Sequence, residues 1–293
     1  MNNVQGILLV IGAMAAFTLE DMFIKSLSAY LPVGQILIFL GIGSGTVFAA
    51  LAKWQGHRIL APRAWRRLPV LRALCEAVAA VSFASSLALV EISVVAAVFQ
   101  ATPLVITMGA ALFLGEQVGW RRWSAILVGF AGVLMIIRPG LAGFEPAALL
   151  VLVSVVAVAG RDLMTRIMDS AVPSTVVSFQ AFAVVIPAGA ILLLMTPGDA
   201  RLLVGTEWLM MLGGVIFGVL GYYGIVTAMR VGDASAVTPF RYSRLVFSIL
   251  VGVVMFNERP DAMTLAGAAL IIASGLYTFM RERRLARQQS RAA

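Results

Sequence analysis

Residues 174–196, STVVSFQAFAVVIPAGAILLLMT, form an apolar stretch in which no side chain is charged. A helix of about 20 residues is long enough to cross the hydrocarbon core of a bilayer, which is about 30 Å thick. Turn-forming residues bound the stretch, with Pro173 before it and Pro197-Gly198-Asp199 after it. Residues 174–196 are therefore predicted to span a membrane as one helix.

Nine more apolar stretches of similar length follow the same pattern along the chain. They are residues 4–29, 34–53, 69–90, 93–114, 121–138, 147–169, 207–229, 235–256 and 261–281. Hydrophobic residues make up 61% of the chain and charged residues 12%, whereas a soluble domain is about one quarter charged. So few charges cannot cover the surface of a soluble globule. The sequence predicts an all-α integral membrane protein with ten transmembrane helices.

Basic residues are distributed unevenly between the predicted loops. The tail and the loops on the side of the termini carry fifteen Lys and Arg residues, with Arg72 counted among them, against four on the opposite side. Because basic residues accumulate in cytoplasmic loops, both termini are predicted to be cytoplasmic. The expected location is the cell (inner) membrane, with multiple passes.

Several classes of chemistry are excluded by the residues that the chain lacks. With one cysteine, Cys75, and one histidine, His57, it cannot form a disulfide framework or a His-His metal site. It has no Gly-x-x-x-x-Gly-Lys-Ser/Thr, no His-Glu-x-x-His and no Gly-x-Ser-x-Gly stretch. We therefore expect no metal, no cofactor and no enzymatic activity. The net charge of +8 belongs to short loops and the tail, so no nucleic-acid partner is expected.

The two halves of the chain share the spacing of their anchor residues. A shift of 142 positions places Gly115-Glu116 on Asn257-Glu258, and in both halves the glutamate closes the fourth span. A shift of 141 positions places Glu20-Asp21 on Arg161-Asp162. Five spans in each half force the two copies into opposite orientations, a common plan of transporters that alternate access around a midplane site.

This spacing predicts a chain of two repeats and a tail. The first five-helix repeat is expected over residues 1–143 and the second, inverted, over residues 144–281. Residues 282–293 are expected to form a basic cytoplasmic tail.

Three runs in the second half resemble the drug/metabolite transporter superfamily, in its EamA-type branch. They are Pro239-Phe240-Arg241-Tyr242-Ser243-Arg244, Phe256-Asn257-Glu258-Arg259-Pro260-Asp261 and Gly267-Ala268-Ala269-Leu270-Ile271-Ile272-Ala273-Ser274-Gly275. Two departures are Asn257, where the family usually has Gly, and the acidic pair Glu20-Asp21. The resemblance implies a secondary carrier, and the branch includes bacterial exporters of amino acids and related metabolites.

Twelve polar residues within the predicted spans are candidates for the solute path. An ionisable group at the bilayer centre costs about 3 kcal/mol on insertion scales, so these groups are expected to face a cavity and to have partners. The candidates are Glu20, Asp21, Lys25, Glu76, Gln100, Arg161, Asp162, Tyr222, Tyr223, Arg241, Tyr242 and Arg244. The alternative for the charged members is a buried ion-pair network that only fixes helix packing.

Some of these candidates have specific expected partners. Arg241 and Arg244 lie three apart on one helix face and are the predicted carboxylate site, because a guanidinium fork binds a carboxylate; the alternative is contact with lipid head groups. Asp21 and Lys25 can pair at i,i+4. Glu20 or Asp21 can pair with Arg161 if the first and sixth spans meet.

Two further glutamates lie at the ends of spans, and they are expected to have a structural role instead of a place on the solute path. For Glu116 and Glu258 we expect a hydrogen bond at a helix end or the orientation of a loop.

An amino acid carries an ammonium and a carboxylate, which suits a path that holds both charges. We predict a secondary transporter that exports small amphipathic metabolites, above all amino acids, by alternating access around a central cavity. Uptake or exchange of a nucleoside-like metabolite such as S-adenosylmethionine is the alternative. A channel or a receptor subunit is disfavoured, since a channel needs rings of like charge or a backbone filter. The expected partners are membrane lipid and the solute, and a homodimer stays open.

Overall fold

The computed structural model describes residues 3–116, 119–141, 144–169, 171–196, 198, 200–231 and 237–292. Pro197 and Asp199 of the turn predicted after residue 196, residues 235 and 236 at the start of a predicted span, and the side chains of the predicted basic tail, 282–293, lie outside this description. The described part is built from helices and short connections. Its α-helices are α1 Asn3–Ser28, α2 Val33–Trp54, α3 Arg67–Leu89, α4 Ile92–Phe99, α5 Thr102–Phe113, α6 Trp120–Ile137, α7 Leu149–Ile167, α8 Ser174–Met195, α9 Thr206–Val231, α10 Ser243–Phe256 and α11 Ala262–Ala292. Short 3₁₀ turns lie at Pro62–Trp65, Pro146–Ala148 and Thr238–Tyr242.

Ten segments of the described residues are long and apolar enough to cross a membrane, which confirms the predicted number of spans. Seven of them are single α-helices. The sixth, Pro146–Ile167, begins with a 3₁₀ turn that leads directly into α7. The fourth, Ile92–Phe113, consists of α4 and α5, and the ninth, Pro239–Phe256, consists of a 3₁₀ turn and α10. The all-α fold class is therefore confirmed, and three of its spans combine two helical segments.

The fourth span of each half ends in the same backbone geometry. Gly115 and Asn257 both adopt the left-handed conformation, with φ of 69° and 57°. The next N–H, that of Glu116 or Glu258, donates to the carbonyl six residues earlier, at 3.2 Å in the first half and 2.9 Å in the second. In both halves, the N–H after the left-handed residue thus bonds a carbonyl near the end of the helix, where the last carbonyls have no partner further along the helix. Gly and Asn adopt that conformation most readily, so Asn257 fits where the family usually has Gly.

The helices form two compact units, and each unit contains helices from both halves of the chain. The first unit comprises Met1–Thr18, Glu91–Pro146 and Gly221–Ala293. The second comprises Leu19–Val90 and Ala147–Leu220. The compact units therefore differ from the predicted sequence repeats.

Glycine allows close helix contact within each unit. In the first unit, α6 and α11 cross at Gly132 and Gly267, where a Cβ on either glycine would overlap the carbonyl oxygen of the other. In the second unit, α2 and α8 cross at Gly34 and Gly189 in the same reciprocal way. Small residues at a crossing let two backbones approach, which is how helices associate where lipid removes the hydrophobic driving force.

Substitution of Gly34 by alanine is expected to lower the free energy of unfolding by about 1–3 kcal/mol, since the added methyl group would overpack the crossing. The control is Gly12→Ala, because a Cβ at Gly12 would meet nothing within 4 Å. An alanine in that helix should leave stability unchanged or raise it by up to about 1 kcal/mol. Thermal unfolding of the detergent-solubilised proteins measures both. Equal melting temperatures for the two variants would contradict the close crossing.

Candidate functional site

Two spans of the first unit are interrupted at equivalent positions of the two repeats. The fourth span breaks at Gln100-Ala101, between α4 and α5. The ninth changes from a 3₁₀ turn to α10 between Tyr242 and Ser243. With the shift of 142 positions that aligns the glutamates, Gln100 falls on Tyr242. Paired discontinuous helices of this kind mark the binding sites of many carriers, because they expose backbone groups inside the membrane.

The two interruptions meet each other through the side chain of Gln100. Its Nε2 donates to the carbonyl oxygens of Arg241 and Tyr242, at 3.5 Å in both cases. Both carbonyls belong to the end of the 3₁₀ turn. An N–H···O bond is usually 2.7–3.2 Å long, so this amide holds the two carbonyls weakly.

The guanidinium of Arg244 lies close to two aromatic rings beside this junction. Its Cζ is 5.4 Å from the centre of the Phe17 ring on α1 and 5.3 Å from that of Phe99 at the end of α4. The side chain is half-buried. A guanidinium within about 6 Å of a ring face is attracted by the ring quadrupole. The two rings therefore help to position Arg244, whose planar guanidinium has the geometry that binds a carboxylate.

The segment of α1 that contains Phe17 and Thr18 packs against α9 and α10 close to Arg244. The buried hydroxyls of Thr18 and Ser248 are 3.5 Å apart, and Ser248 lies one turn after Arg244. The Phe17 ring packs on Gly221, where any Cβ would overlap it. These contacts hold the Phe17 ring in place beside Arg244.

Tyr242 and Arg241, which precede Arg244 in the chain, lie in different environments from it. The hydroxyl of Tyr242 occupies the space where Gly275 of α11 lacks a side chain. Arg241 is exposed at the end of the 3₁₀ turn, whereas Arg244 is half-buried. That the two arginines together form a carboxylate site stays a prediction.

Glu258 holds the N-terminal end of α4. Its Oε1 accepts from the N–H of Ile92 at 2.7 Å, and its Oε2 accepts from the N–H and the hydroxyl of Ser93 at 3.1 and 2.7 Å. The first N–H groups of a helix have no partner within the helix, and a carboxylate there also meets the positive end of the helix dipole. The expected helix-end role of Glu258 is confirmed. Glu116, its repeat equivalent, is exposed.

A second charged cluster lies between α3 and α7, in the second unit. Arg161 Nη1 lies 3.0 Å from Glu76 Oε1, and Arg161 also pairs with Asp162 at 2.8 Å. Arg72 lies 3.6 Å from Glu76 and donates to the Thr165 hydroxyl at 3.0 Å. Three of the predicted path residues thus form one network that ties two helices together.

Arg72 requires a correction. Its prediction as a basic residue of a loop is wrong, because it lies within α3 and is 4% exposed. It is buried because Glu76, one turn later, neutralises its charge.

The other acidic and basic candidates of α1 lie in the second unit. Lys25 Nζ donates to the carbonyls of Leu87 and Val90 at 3.1 and 2.6 Å, so its ammonium caps the C-terminal end of α3. The Glu20 carboxylate packs on Gly218 of α9. Asp21 is buried. The pairing of Asp21 with Lys25, and that of Glu20 or Asp21 with Arg161, stay predictions.

The two remaining candidates are on α9. Tyr222 is half-buried, and Tyr223 is 55% exposed. Neither lies among the contacts described around Arg244, so their part in a solute path stays a prediction.

An ion pair outside the spans joins the ends of two helices of the first unit. Arg138, which follows α6, donates to Asp261, which precedes α11. Asp261 also accepts from the N–H of Thr264 at 2.8 Å. The Arg138 guanidinium and the Thr264 N–H hold the pKa of the Asp261 carboxyl well below its usual range. The pair ties the α6–α11 crossing at its ends.

Comparison with known proteins identifies the family. The model of the EamA-like transporter family matches the chain twice, over residues 4–138 and 145–280. The chain belongs to the EamA-like transporter family. The resemblance of its second-half runs to this family is confirmed. The chain is a multi-pass membrane protein.

Relatives of this chain in the family are named for different solutes. It is 31% identical to a riboflavin transporter of Vibrio cholerae over 67% of this chain and 65% of that protein, which is just under two thirds. It is 25% identical to an S-adenosylmethionine uptake transporter of Rickettsia prowazekii over 96% and 94% of the two chains. It is 26% identical to the pseudopaline exporter CntI of Pseudomonas aeruginosa over 92% and 93%. These relatives are transporters, and they differ in solute and direction.

A solved crystal structure shares the fold. The TM-score is 0.65 at 22% identity, over 97% of this chain and 99% of the other.

The sequence did not single out Phe17 and Phe99, and it did not predict the burial of Arg72. Phe17 and Phe99 are two of many aromatic residues in apolar spans, and nothing in their spacing distinguishes them. Arg72 lies four residues before Glu76, and this spacing is the signal that could have found it.

Proposed function

We propose that this member of the EamA-like transporter family exports small amphipathic metabolites, above all amino acids, by alternating access. The solute's carboxylate would bind the guanidinium of Arg244. Its ammonium would bind the backbone carbonyls at the interruption of the ninth span. Arg244 at this junction is the observation that carries the proposal.

The position of Arg244 supports the binding of a carboxylate. A charged residue within a span is expensive and is retained where it meets a solute or a partner. The guanidinium of Arg244 lies 5.4 Å from the centre of the Phe17 ring and 5.3 Å from that of the Phe99 ring, and these contacts position its planar fork. A bidentate carboxylate matches that fork in geometry and charge.

The carbonyls of Arg241 and Tyr242 support the binding of an ammonium. Carbonyls at an unwound segment of a carrier coordinate cations. Gln100 holds both at 3.5 Å, and such long bonds are easily exchanged for shorter ones to an ammonium. The same junction therefore offers a site for each charge of an α-amino carboxylate.

S-adenosylmethionine is the second candidate solute, and uptake or exchange is the corresponding direction. It is favoured by the named relative that aligns with 96% of this chain. S-adenosylmethionine has the same α-amino carboxylate head group as an amino acid, so the same residues would bind it. Riboflavin has no carboxylate and no ammonium. Export is supported by the relative named as the pseudopaline exporter.

The moving parts of the cycle are expected to combine both repeats. Each compact unit contains helices from the two halves, so a rigid body is expected to consist of helices from both. We further propose that the protein resides in the inner membrane with both termini in the cytoplasm, as the distribution of basic residues favours.

The test is a counterflow assay with the full chain in proteoliposomes. We expect liposomes loaded with an unlabelled amino acid to accumulate the labelled one, and other α-amino carboxylates to compete. The corresponding amines, which lack the carboxylate, and riboflavin should not compete. Accumulation of S-adenosylmethionine alone would favour the second candidate. Accumulation of riboflavin alone would show that the head-group proposal is wrong.

A further inference from the structure

The connection between α2 and α3 is strongly basic. Residues 53–67, KWQGHRILAPRAWRR, which we name the basic loop, contain five basic residues and no acidic residue. All five are exposed: Lys53, Arg58, Arg63, Arg66 and Arg67. A surface with this charge and no internal compensation attracts anions.

Large apolar side chains are exposed on the same loop. Trp54 is 84% exposed, Leu60 79% and Trp65 45%. Tryptophan is enriched where lipid head groups meet the hydrocarbon core, because its ring is amphipathic. The combination of cations and exposed Trp and Leu side chains therefore fits a membrane surface better than bulk water.

The basic loop is held in a defined conformation. The Ala64 carbonyl accepts from Gln180 Nε2 of α8 at 2.5 Å, and Ala64 is buried in a cluster with Val176. Trp65 Nε1 donates to the Ile59 carbonyl at 3.0 Å. The basic side chains therefore extend from a fixed framework on the second unit.

We propose that the basic loop is a binding surface for the head groups of anionic phospholipids. The second span ends at Trp54 and the third begins at Arg67, so the loop between them lies at the membrane surface. Phosphodiester groups there would neutralise the arginines while Trp54, Leu60 and Trp65 enter the interface. Each basic residue near a charged surface contributes about fivefold to binding, and four arginines together contribute at least about a hundredfold.

The test uses the full chain in detergent, titrated with dioctanoyl phosphatidylglycerol and with dioctanoyl phosphatidylcholine. Tryptophan fluorescence and melting temperature report binding, and bound lipid raises the melting temperature by mass action. We expect tight binding of phosphatidylglycerol and weak binding of phosphatidylcholine. In the variant R58Q/R63Q/R66Q/R67Q, binding of phosphatidylglycerol should weaken by at least about a hundredfold.

Two control variants and a competition measurement separate loss of lipid binding from loss of folding. The variant R58K/R63K/R66K/R67K keeps the charges and should bind phosphatidylglycerol as the unmodified chain does. The single variant R66Q should lose about fivefold, which is measurable even if the fourfold variant does not fold. Equal binding of the two lipids, or unchanged binding in the glutamine variants, would overturn the proposal. Competition by inorganic phosphate at the concentrations at which the lipid binds would also overturn it, in favour of a free-phosphate site.

Discussion

Amino-acid transport is expected to fall about a hundredfold when Arg244 is replaced by glutamine, if the proposed function holds. Removal of one partner of a desolvated charge pair costs about 2–5 kcal/mol, and about 2.7 kcal/mol corresponds to a hundredfold loss. The neighbouring rings of Phe17 and Phe99 would remain, but a glutamine amide has neither the charge nor the fork of a guanidinium. Initial rates of counterflow in proteoliposomes measure the loss.

A comparison of two solutes separates recognition from a structural role of Arg244. The unmodified chain should prefer an amino acid to the corresponding amine, which lacks the carboxylate. In Arg244→Gln this preference should vanish, since the group that reads the carboxylate is gone. A variant that only weakens helix packing would lower both rates and keep their ratio. Arg244→Lys keeps the charge but loses the fork, so it should retain part of the preference.

The matched control is Arg121→Gln. Arg121 is exposed at the start of α6, with its guanidinium 5.3 Å from the Trp120 ring centre. The substitution Arg121→Gln removes one arginine and one cation–π contact at the end of a span. Transport should change less than about twofold, because an exposed contact contributes little. If Arg244→Gln transports like this control, Arg244 does not bind the solute.

The spans and the helix-end glutamate could be predicted from the sequence because each depends on local properties. An apolar run such as residues 174–196 has one stable solution in lipid, a helix that satisfies its own backbone. The Asn257-Glu258 pair follows a span and precedes another, a position where Glu tends to meet free N–H groups. The donors of Glu258, at Ile92 and Ser93, are 165 or more residues away and could not be foreseen.

The assignment of partners was less predictable because it depends on tertiary contacts. Arg72 looked like a loop residue because it follows a basic run, and its burial depends on Glu76 and on Thr165 of another helix. The contact of the Tyr242 hydroxyl with Gly275 of α11 also depends on tertiary structure, and the part of Tyr242 in a solute path stays a prediction. A periodicity shows which residues share a helix face. It does not show which neighbouring helix that face meets.

The breaks in the fourth and ninth spans could be predicted from the sequence only in part. Pro103 and Pro239 are visible in the sequence, and proline frees a carbonyl one turn earlier. Pro187 has the same signature, yet α8 continues through it. Proline alone therefore does not predict an interruption, and the repeat relation between Gln100 and Tyr242 carries the additional information.

Replacement of Glu258 by alanine is expected to lower the free energy of unfolding by about 3 kcal/mol, through the loss of three buried hydrogen bonds at the start of α4. The carboxylate is 6% exposed, so water cannot replace it freely at the N–H groups of Ile92 and Ser93. Thermal unfolding measures the loss. Glu258→Gln should have an intermediate effect, because its oxygen can still accept from Ile92 while its NH₂ group faces the N–H of Ser93.

Replacement of Glu258 by alanine or glutamine should also impair transport, because α4 ends at Phe99 and Gln100 follows it directly. A shift of α4 would move the Phe99 ring away from Arg244 and the Gln100 amide away from the ninth span. We expect a higher KM for the solute in Glu258→Gln even at temperatures where the variant is folded. Glu116→Ala is the control, since this repeat-equivalent glutamate is exposed and its loss should cost less than about 0.5 kcal/mol. Equal loss of stability in Glu116→Ala and Glu258→Ala would contradict the capping of α4 as the cause.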